Sequence, residues 1–181
     1  MSFAFSVYMA LLIVQRLTEL VIARRNEKIV KERGAKEYGK SHYPFIVTLH
    51  VLFLLSIFAE AAIFNRGLSP AWPVILLLIA AVQILRYWSI FSLGAYWNTK
   101  ILIVPDGNLQ AKGPYRYIRH PNYVTVALEM VLLPALFQCY FTAILFTILN
   151  GIMMMVRIPA EEKALQHYKG EKNSFGGQVE K

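Results

Sequence analysis

A short block in the second half of the chain holds many of the side chains that could do chemistry. Three tyrosines, two arginines and one histidine fall within Tyr115–Tyr123, and the block stands between long apolar segments. Ionisable side chains are costly in or beside hydrocarbon, so they usually have a functional reason there. The block therefore predicts a site for a polar ligand that is met at the membrane surface.

A second charged cluster follows the last apolar segment. Arg157 and Glu161 are four residues apart, so on a helix their side chains project from the same face. Taken alone, this pair indicates an interfacial salt bridge at the end of a span. Because both clusters are predicted on the same side of the membrane and on adjacent helices, they can converge on one ligand.

Together the two clusters offer cations, carboxylates and aromatic faces. Carboxylates accept hydrogen bonds from ribose hydroxyls or an amino group, and aromatic rings attract a sulfonium through cation–π contact. Pro121 predicts the start of a helix whose N–H groups could receive a carboxylate or phosphate. These residue types indicate a nucleotide-like cofactor and leave S-adenosylmethionine and NADPH both open.

No metal site is expected. His42, His50 and His167 are scattered without the spacing of metal ligands. Cys139 is the single cysteine, which excludes a cysteine-based metal site within one chain.

The elements that must position these clusters are membrane-spanning helices. The chain has 181 residues, of which 56% are hydrophobic and 17% charged, whereas a soluble domain carries roughly 25% charged residues. A membrane-spanning helix needs about 20 mostly apolar residues. We predict an all-α integral membrane protein of the cell membrane with about five transmembrane helices, the last two forming a short hairpin. The apolar runs are Phe3–Ala23, Phe45–Phe64, Trp72–Leu93, Tyr123–Phe137 and Tyr140–Val156.

The charge distribution predicts the orientation. Most Lys and Arg residues lie in Arg24–Lys40, in Lys100–Arg119 and from Arg157 onward. Cytoplasmic loops are rich in Lys and Arg, so we expect the N-terminus outside and the C-terminus in the cytoplasm. The net charge of +8 suits anionic membrane lipids and needs no nucleic-acid partner. Residues 1–169 are predicted to form a single domain, and 170–181 a disordered tail.

Several ionisable residues fall in or near the spans, where charges usually pair and face the bundle interior. For Arg16, Glu19 and Arg86 the sequence favours a structural ion pair between helices over a head-group site. Glu129 follows the central block by about two turns, so it could line the same cavity. We predict Glu129 as a substrate-binding residue.

Four motifs occur in order within residues 93–165. They are Leu93-Gly94-Ala95-Tyr96-Trp97, Gly113-Pro114-Tyr115, Arg119-His120-Pro121-Asn122-Tyr123, and Arg157 followed after three residues by Glu161-Glu162. In this order and spacing the chain resembles the isoprenylcysteine carboxyl methyltransferase family in its short bacterial form. Membrane sterol reductases and phospholipid methyltransferases carry blocks similar to the third motif.

The resemblance implies that S-adenosylmethionine binds from the cytoplasmic side, between the last spans and the C-terminal helix. The positions that match the family's motifs, and would hold this cofactor, are Tyr115, His120, Pro121, Asn122, Tyr123 and Glu161. The turn formed by Asn108, Leu109 and Gln110 would close over it, with Lys100 nearby. Arg157 would face the acceptor as the predicted catalytic residue.

The resemblance also implies methylation of a carboxylate or acidic hydroxyl on a lipophilic acceptor that enters from the bilayer. This acceptor would be isoprenylcysteine-like, including prenylated substrates, or alkylpyrone-like. An ionised oxygen needs no strong base, so orientation in a site that excludes water would carry the reaction. A phospholipid or amine N-methyltransferase, an NADPH-dependent sterol-type reductase and a non-enzymatic membrane scaffold remain as alternatives.

Overall fold

The computed structural model of the chain describes residues 3–105 and 112–176, with side chains described through residue 167. The described backbone is mostly helical. Its long helices are α1 (Phe3–Glu32), α2 (Tyr43–Ile63), α3 (Trp72–Leu93), α4 (Pro121–Ala135) and α5 (Tyr140–Gly176). Between them lie the strands β1 (Lys36–Tyr38) and β2 (Ile101–Ile103) and the short 3₁₀ helices Gly94–Tyr96 and Gly113–Arg116.

Within the described part of the chain, four helices are long and apolar enough to cross a membrane, namely α1, α2, α3 and α5. The fourth helix, α4, has only 15 residues, which reach about 22 Å against a hydrocarbon core of about 30 Å. It forms a hairpin with α5 through residues 136–139, as the sequence predicts. The all-α membrane class is confirmed, with α4 as a partial span. The orientation of the termini stays a prediction.

Three of the long helices begin with a proline in their first turn, at Pro44, Pro73 and Pro121. Proline is tolerated there because the first N–H groups of a helix have no intrahelical acceptor. The predicted helix start at Pro121 is therefore confirmed. It fixes where the central polar block ends and the apolar part of α4 begins.

The first helix extends beyond the apolar run that the sequence marks. It continues through the charged residues after Ala23 to Glu32, and the chain reverses at Gly34, whose φ is +81°. Strand β1 then pairs antiparallel with β2, with Lys36 opposite Ile103 and Tyr38 opposite Ile101. This pairing joins the first two basic segments at one end of the helix bundle.

The apolar core lies toward the opposite end. It packs all five long helices through buried residues that include Phe5, Phe53, Ile79, Met130 and Phe146. The rings of Phe5 and Phe137 meet edge to face, with 5.0 Å between their centroids. The helices are thus held together at this end, and the polar clusters occupy the other.

A buried carboxylate of α2 caps the start of α5. Glu60 accepts hydrogen bonds from the Thr142 backbone N–H at 2.8 Å, from the Thr142 hydroxyl at 2.7 Å and from the Phe141 N–H at 3.3 Å. The first N–H groups of a helix need external acceptors, and a negative charge is favourable beside them. Glu60 thereby fixes where α5 begins relative to α2.

We expect Glu60→Ala to destabilise the protein by about 1–3 kcal/mol, because it leaves buried donors without acceptors. Thermal unfolding in detergent would measure the change. Glu60→Gln keeps one side-chain acceptor, so it should lose less stability than Glu60→Ala. A melting temperature unchanged in Glu60→Ala would contradict the capping role.

An ion network joins α1, α3 and α4 inside the bundle. Arg86 donates two hydrogen bonds to Glu19, at 2.6 and 2.5 Å, and one to Glu129 at 2.8 Å. Arg16 donates to Glu129 at 2.8 Å and to Glu19 at 3.0 Å. The two positive charges of the arginines equal the two negative charges of the carboxylates, so the network is neutral. The ion pair predicted for Arg16, Glu19 and Arg86 is confirmed, and it also includes Glu129.

Candidate functional site

Two adjacent cavities lie at the end of the bundle that carries the β1–β2 pair. The first, here called the polar chamber, has a volume of about 130 Å³ and lies between β2, the Gly113–Arg116 turn, α4 and α5. The second, here called the apolar chamber, has a volume of about 210 Å³ and lies mainly between α1, α2 and α4. The two chambers share the lining residues Asn98, Asn122, Tyr123 and Arg157. These four residues define the junction.

Hydrogen bonds at the junction link α4 to α5. The Tyr123 hydroxyl donates to the Glu161 carboxylate. Arg157 donates from Nε to the Tyr123 hydroxyl at 2.9 Å and from Nη2 to the Thr99 carbonyl at 2.5 Å. Arg157 is only 7% exposed. The structure therefore brings the two sequence clusters together, with the Arg157 guanidinium facing both chambers.

The loop that carries Thr99 is clamped by α1. The Asn26 side-chain amide donates to the carbonyls of Gly94 at 3.0 Å and Trp97 at 2.8 Å. In return, the Asn98 amide donates to the Ala23 carbonyl at 2.9 Å. These bonds fix the backbone that Arg157 contacts. Asn26 is a functional residue that could not be predicted, because a single asparagine in a charged segment has no distinguishing pattern.

A glycine sets the turn that carries Tyr115. Gly113 has φ +55°, and a Cβ there would lie 2.0 Å from the Ser92 hydroxyl oxygen of α3. Only glycine fits this close approach without strain. The Tyr115 hydroxyl is buried and has no hydrogen-bond partner among the described residues. Burial, and secondly the charge of Glu161, raise the pKa of Tyr115, so its phenol stays a neutral donor.

The imidazole of His120 packs on Tyr123, with ring centroids 5.3 Å apart, and its Nε2 lies 3.5 Å from Glu162. Arg119 lies 3.8 Å from the same carboxylate, but its side chain is 89% exposed. Exposed ion pairs of this kind contribute little to the stability of the fold. His120 and the exposed Arg119 both line the polar chamber, whereas Glu162 lies outside its lining.

Lys100 also lines the polar chamber, but its ammonium group is already paired. It donates to Glu27 at 2.8 Å and lies 3.7 Å from Glu37. Lys31 binds the same two carboxylates. Lys100 thus connects the start of β2 to the part of α1 beyond Ala23, and its predicted contact with a cofactor stays a prediction.

The predicted site residues differ in where they lie relative to the two chambers. Seven line the polar chamber: Lys100, Tyr115, His120, Asn122, Tyr123, Arg157 and Glu161. Pro121 is buried as the first residue of α4, outside the chamber lining. Glu129 lines neither chamber, and its carboxylate lies in the ion network, so its substrate role stays a prediction. Asn108, Leu109 and Gln110 lie outside the described residues.

The apolar chamber runs from the junction toward the ion network. Its aliphatic lining is Leu20, Ile46, Val47, Val51, Leu54, Val126 and Met154. At the junction end the hydroxyls of Tyr43 and Thr99 lie 3.1 Å apart. At the other end it reaches Arg16, Arg86 and His50. None of these three was predicted as a lining residue.

Comparison with known proteins points to a membrane enzyme family. The model of the isoprenylcysteine carboxyl methyltransferase family matches residues 74–167. The uncharacterized protein YpbQ of Bacillus subtilis is 53% identical over 164 residues, covering 91% of this chain and 98% of its own length. An uncharacterized protein of Haemophilus influenzae is 29% identical over 159 residues, covering 87% of this chain and 92% of its own length. No solved structure matches the chain.

Proposed function

The chain belongs to the isoprenylcysteine carboxyl methyltransferase family, and from this premise we propose that it is an S-adenosylmethionine-dependent O-methyltransferase of the cell membrane. Its acceptor would be a carboxylate or acidic hydroxyl on a lipophilic molecule. The observation that carries the proposal is the meeting of a polar and an apolar chamber at Arg157 and Tyr123. A transfer between a polar cofactor and a lipid requires two such compartments with one shared wall.

The groups around the polar chamber suit S-adenosylmethionine chemically. Tyr115 offers a buried hydroxyl donor without a partner among the described residues, which an acceptor atom of the cofactor could satisfy. Glu161 offers a carboxylate for hydroxyl or amino groups of the cofactor. Bound there, the cofactor would supply an electrophilic methyl group on a sulfonium.

The size of the polar chamber bears on how the cofactor is admitted. Its volume of about 130 Å³ is below the roughly 300–1,000 Å³ of most small-molecule sites. The chamber can widen if the hydrogen bond between Tyr123 and Glu161 breaks, because both side chains line it. We expect this bond to be exchanged for contacts with the cofactor, which makes Glu161 a direct binding residue.

The apolar chamber suits an acceptor from the bilayer. Helices α1 and α2 approach each other through Phe5 and Phe58, whose ring centroids are 6.4 Å apart, and the chamber lies between the same helices nearer the junction. The surface that lines it is mainly apolar. A lipid tail would bury apolar surface there, while its ionised oxygen reaches the junction.

Arg157 is placed to hold that oxygen. Its guanidinium is buried, and charge-assisted hydrogen bonds from a buried arginine to an anion are short and strong. It would fix the acceptor oxygen in line for transfer, and the buried junction would exclude water. A cationic amine acceptor would be repelled by the same group, which disfavours an N-methyltransferase.

Titration of S-adenosylmethionine into the detergent-purified protein by calorimetry tests the proposal. We expect wild-type binding and at least about tenfold weaker binding by Glu161→Ala, because a ligand contact to a charged group is lost. Glu162→Ala is the matched control, since Glu162 is 41% exposed, lies outside the chamber lining, and makes only long contacts to Arg119 at 3.8 Å and His120 at 3.5 Å. Its affinity should stay near wild type.

Binding of NADPH in place of S-adenosylmethionine would move the protein to the sterol-type reductases. Binding of neither would favour a scaffold whose polar clusters are structural. Equal losses in Glu161→Ala and Glu162→Ala would contradict the specific role of Glu161.

A further inference from the structure

The apolar chamber contains a histidine whose outer nitrogen is not used by the fold. In α2, Nδ1 of His50 lies 2.9 Å from the Ile46 carbonyl oxygen. A carbonyl can only accept, so Nδ1 carries the proton, and neutral His50 has its lone pair on Nε2. No described residue hydrogen-bonds Nε2. Because the Ile46 bond stays within α2, His50 does not tie this helix to another.

Arg16 lies beside His50 and supplies the complementary group. Both residues line the apolar chamber, and both also line a cavity of about 20 Å³ next to Glu129. The Arg16 side chain is 18% exposed although it binds two carboxylates. The end of the apolar chamber away from the junction therefore presents an acceptor on His50 and donors on Arg16, beside Glu19 and Arg86. The unpaired group here is His50 Nε2, and a polar atom without a partner in apolar surroundings is costly.

Two helices give the distance from this polar end to the junction. Tyr43 bonds Thr99 at the junction, and His50 follows Tyr43 by seven residues in α2, or about 10 Å at 1.5 Å per residue. Tyr123 lies at the junction and precedes Glu129 by six residues in α4, or about 9 Å. The two estimates agree.

We propose that His50 and Arg16 form a second polar subsite for a hydroxyl group carried within the acceptor's lipid tail. This proposal rests on the O-methyltransferase function above and specifies its substrate class. A hydroxyl can donate to His50 Nε2 while accepting from Arg16. Three extended chain bonds span about 3.3–3.6 Å, so about 10 Å corresponds to eight or nine bonds from the methylated oxygen. An unsubstituted prenyl or alkyl tail would leave His50 Nε2 without a partner, whereas Arg16 keeps its bonds to Glu19 and Glu129.

The test compares two fatty acids that differ by this one group. Hexadecanoate and hexadecanoate with a hydroxyl on about its eighth carbon are titrated separately into the detergent-purified protein without cofactor. We expect wild type to bind the hydroxylated acid about five- to tenfold more tightly, the usual effect of one net hydrogen bond. Hexadecanoate hydroxylated at its terminal carbon is the positional control and should show no such preference.

The variants assign the preference to His50. His50→Phe keeps an aromatic ring of similar size and should bind both acids equally, whereas His50→Gln keeps an acceptor and should retain part of the preference. Equal affinity of wild type for the two acids, no binding of either, or a preference that survives in His50→Phe would overturn the subsite. Because these titrations need neither S-adenosylmethionine nor turnover, their failure is distinct from failure of the cofactor titration.

Discussion

Arg157→Ala is expected to lose methyl transfer by a factor of about 10²–10⁴ while keeping affinity for S-adenosylmethionine within a few-fold of wild type. The guanidinium bonds the Tyr123 hydroxyl and the Thr99 carbonyl, and no described hydrogen bond joins it to Glu161. Its loss therefore removes the group that faces the acceptor and leaves the proposed cofactor contact in place. The measurement is transfer of a labelled methyl group to an S-prenylated cysteine or an alkylpyrone, whichever wild type accepts.

Matched variants separate this role from a structural one. Arg157→Lys keeps the charge but lacks the planar fork of donors, so its rate should lie between wild type and alanine. Lys163→Ala removes an exposed cation from the same helix and should leave the rate unchanged. Unchanged affinity of Arg157→Ala for S-adenosylmethionine, measured by calorimetry, would show that the cofactor site is intact. A normal transfer rate in Arg157→Ala would remove this residue from the mechanism.

The parts of the site that follow from local spacing could be predicted from the sequence. The four-residue spacing of Arg157 and Glu161 puts both on one face of α5, and the structure joins both to Tyr123. Proline geometry gave the start of α4 at Pro121. These inferences succeed because helical periodicity and first-turn proline depend only on neighbouring residues.

The parts that depend on distant partners could not be predicted. Strands of three residues, such as Lys36–Tyr38, are too short to show alternation, and their pairing is decided by contact with β2. The Asn26 clamp on the Trp97 loop joins positions 71 residues apart. Likewise, the proximity of Arg16 and Glu19 follows from their spacing, whereas the participation of Glu129 requires knowing how α1 and α4 pack.

Because the network joins three packed helices, a single substitution within it should destabilise the protein more than one elsewhere. Glu129→Ala removes a carboxylate shared by two arginines and leaves a net positive charge inside the bundle, since Glu19 alone remains to balance Arg16 and Arg86. Breaking a buried network in this way costs about 3–5 kcal/mol. We expect a large fall in thermal stability in detergent, or failure to purify as a folded protein.

A double variant shows whether charge balance is the cause. Combining Glu129→Leu with Arg16→Met removes one charge of each sign and leaves the paired hydrogen bonds between Arg86 and Glu19. Replacing a buried ion pair by apolar residues of similar volume is often neutral or stabilising, so the double variant should be more stable than Glu129→Leu alone. If its melting temperature falls below that of the single variant, the network acts through shape and hydrogen bonding, and the charge argument is wrong. Recovery would mean that α1, α3 and α4 are held in register by neutrality, which the bilayer enforces because an unbalanced charge has no water to stabilise it there.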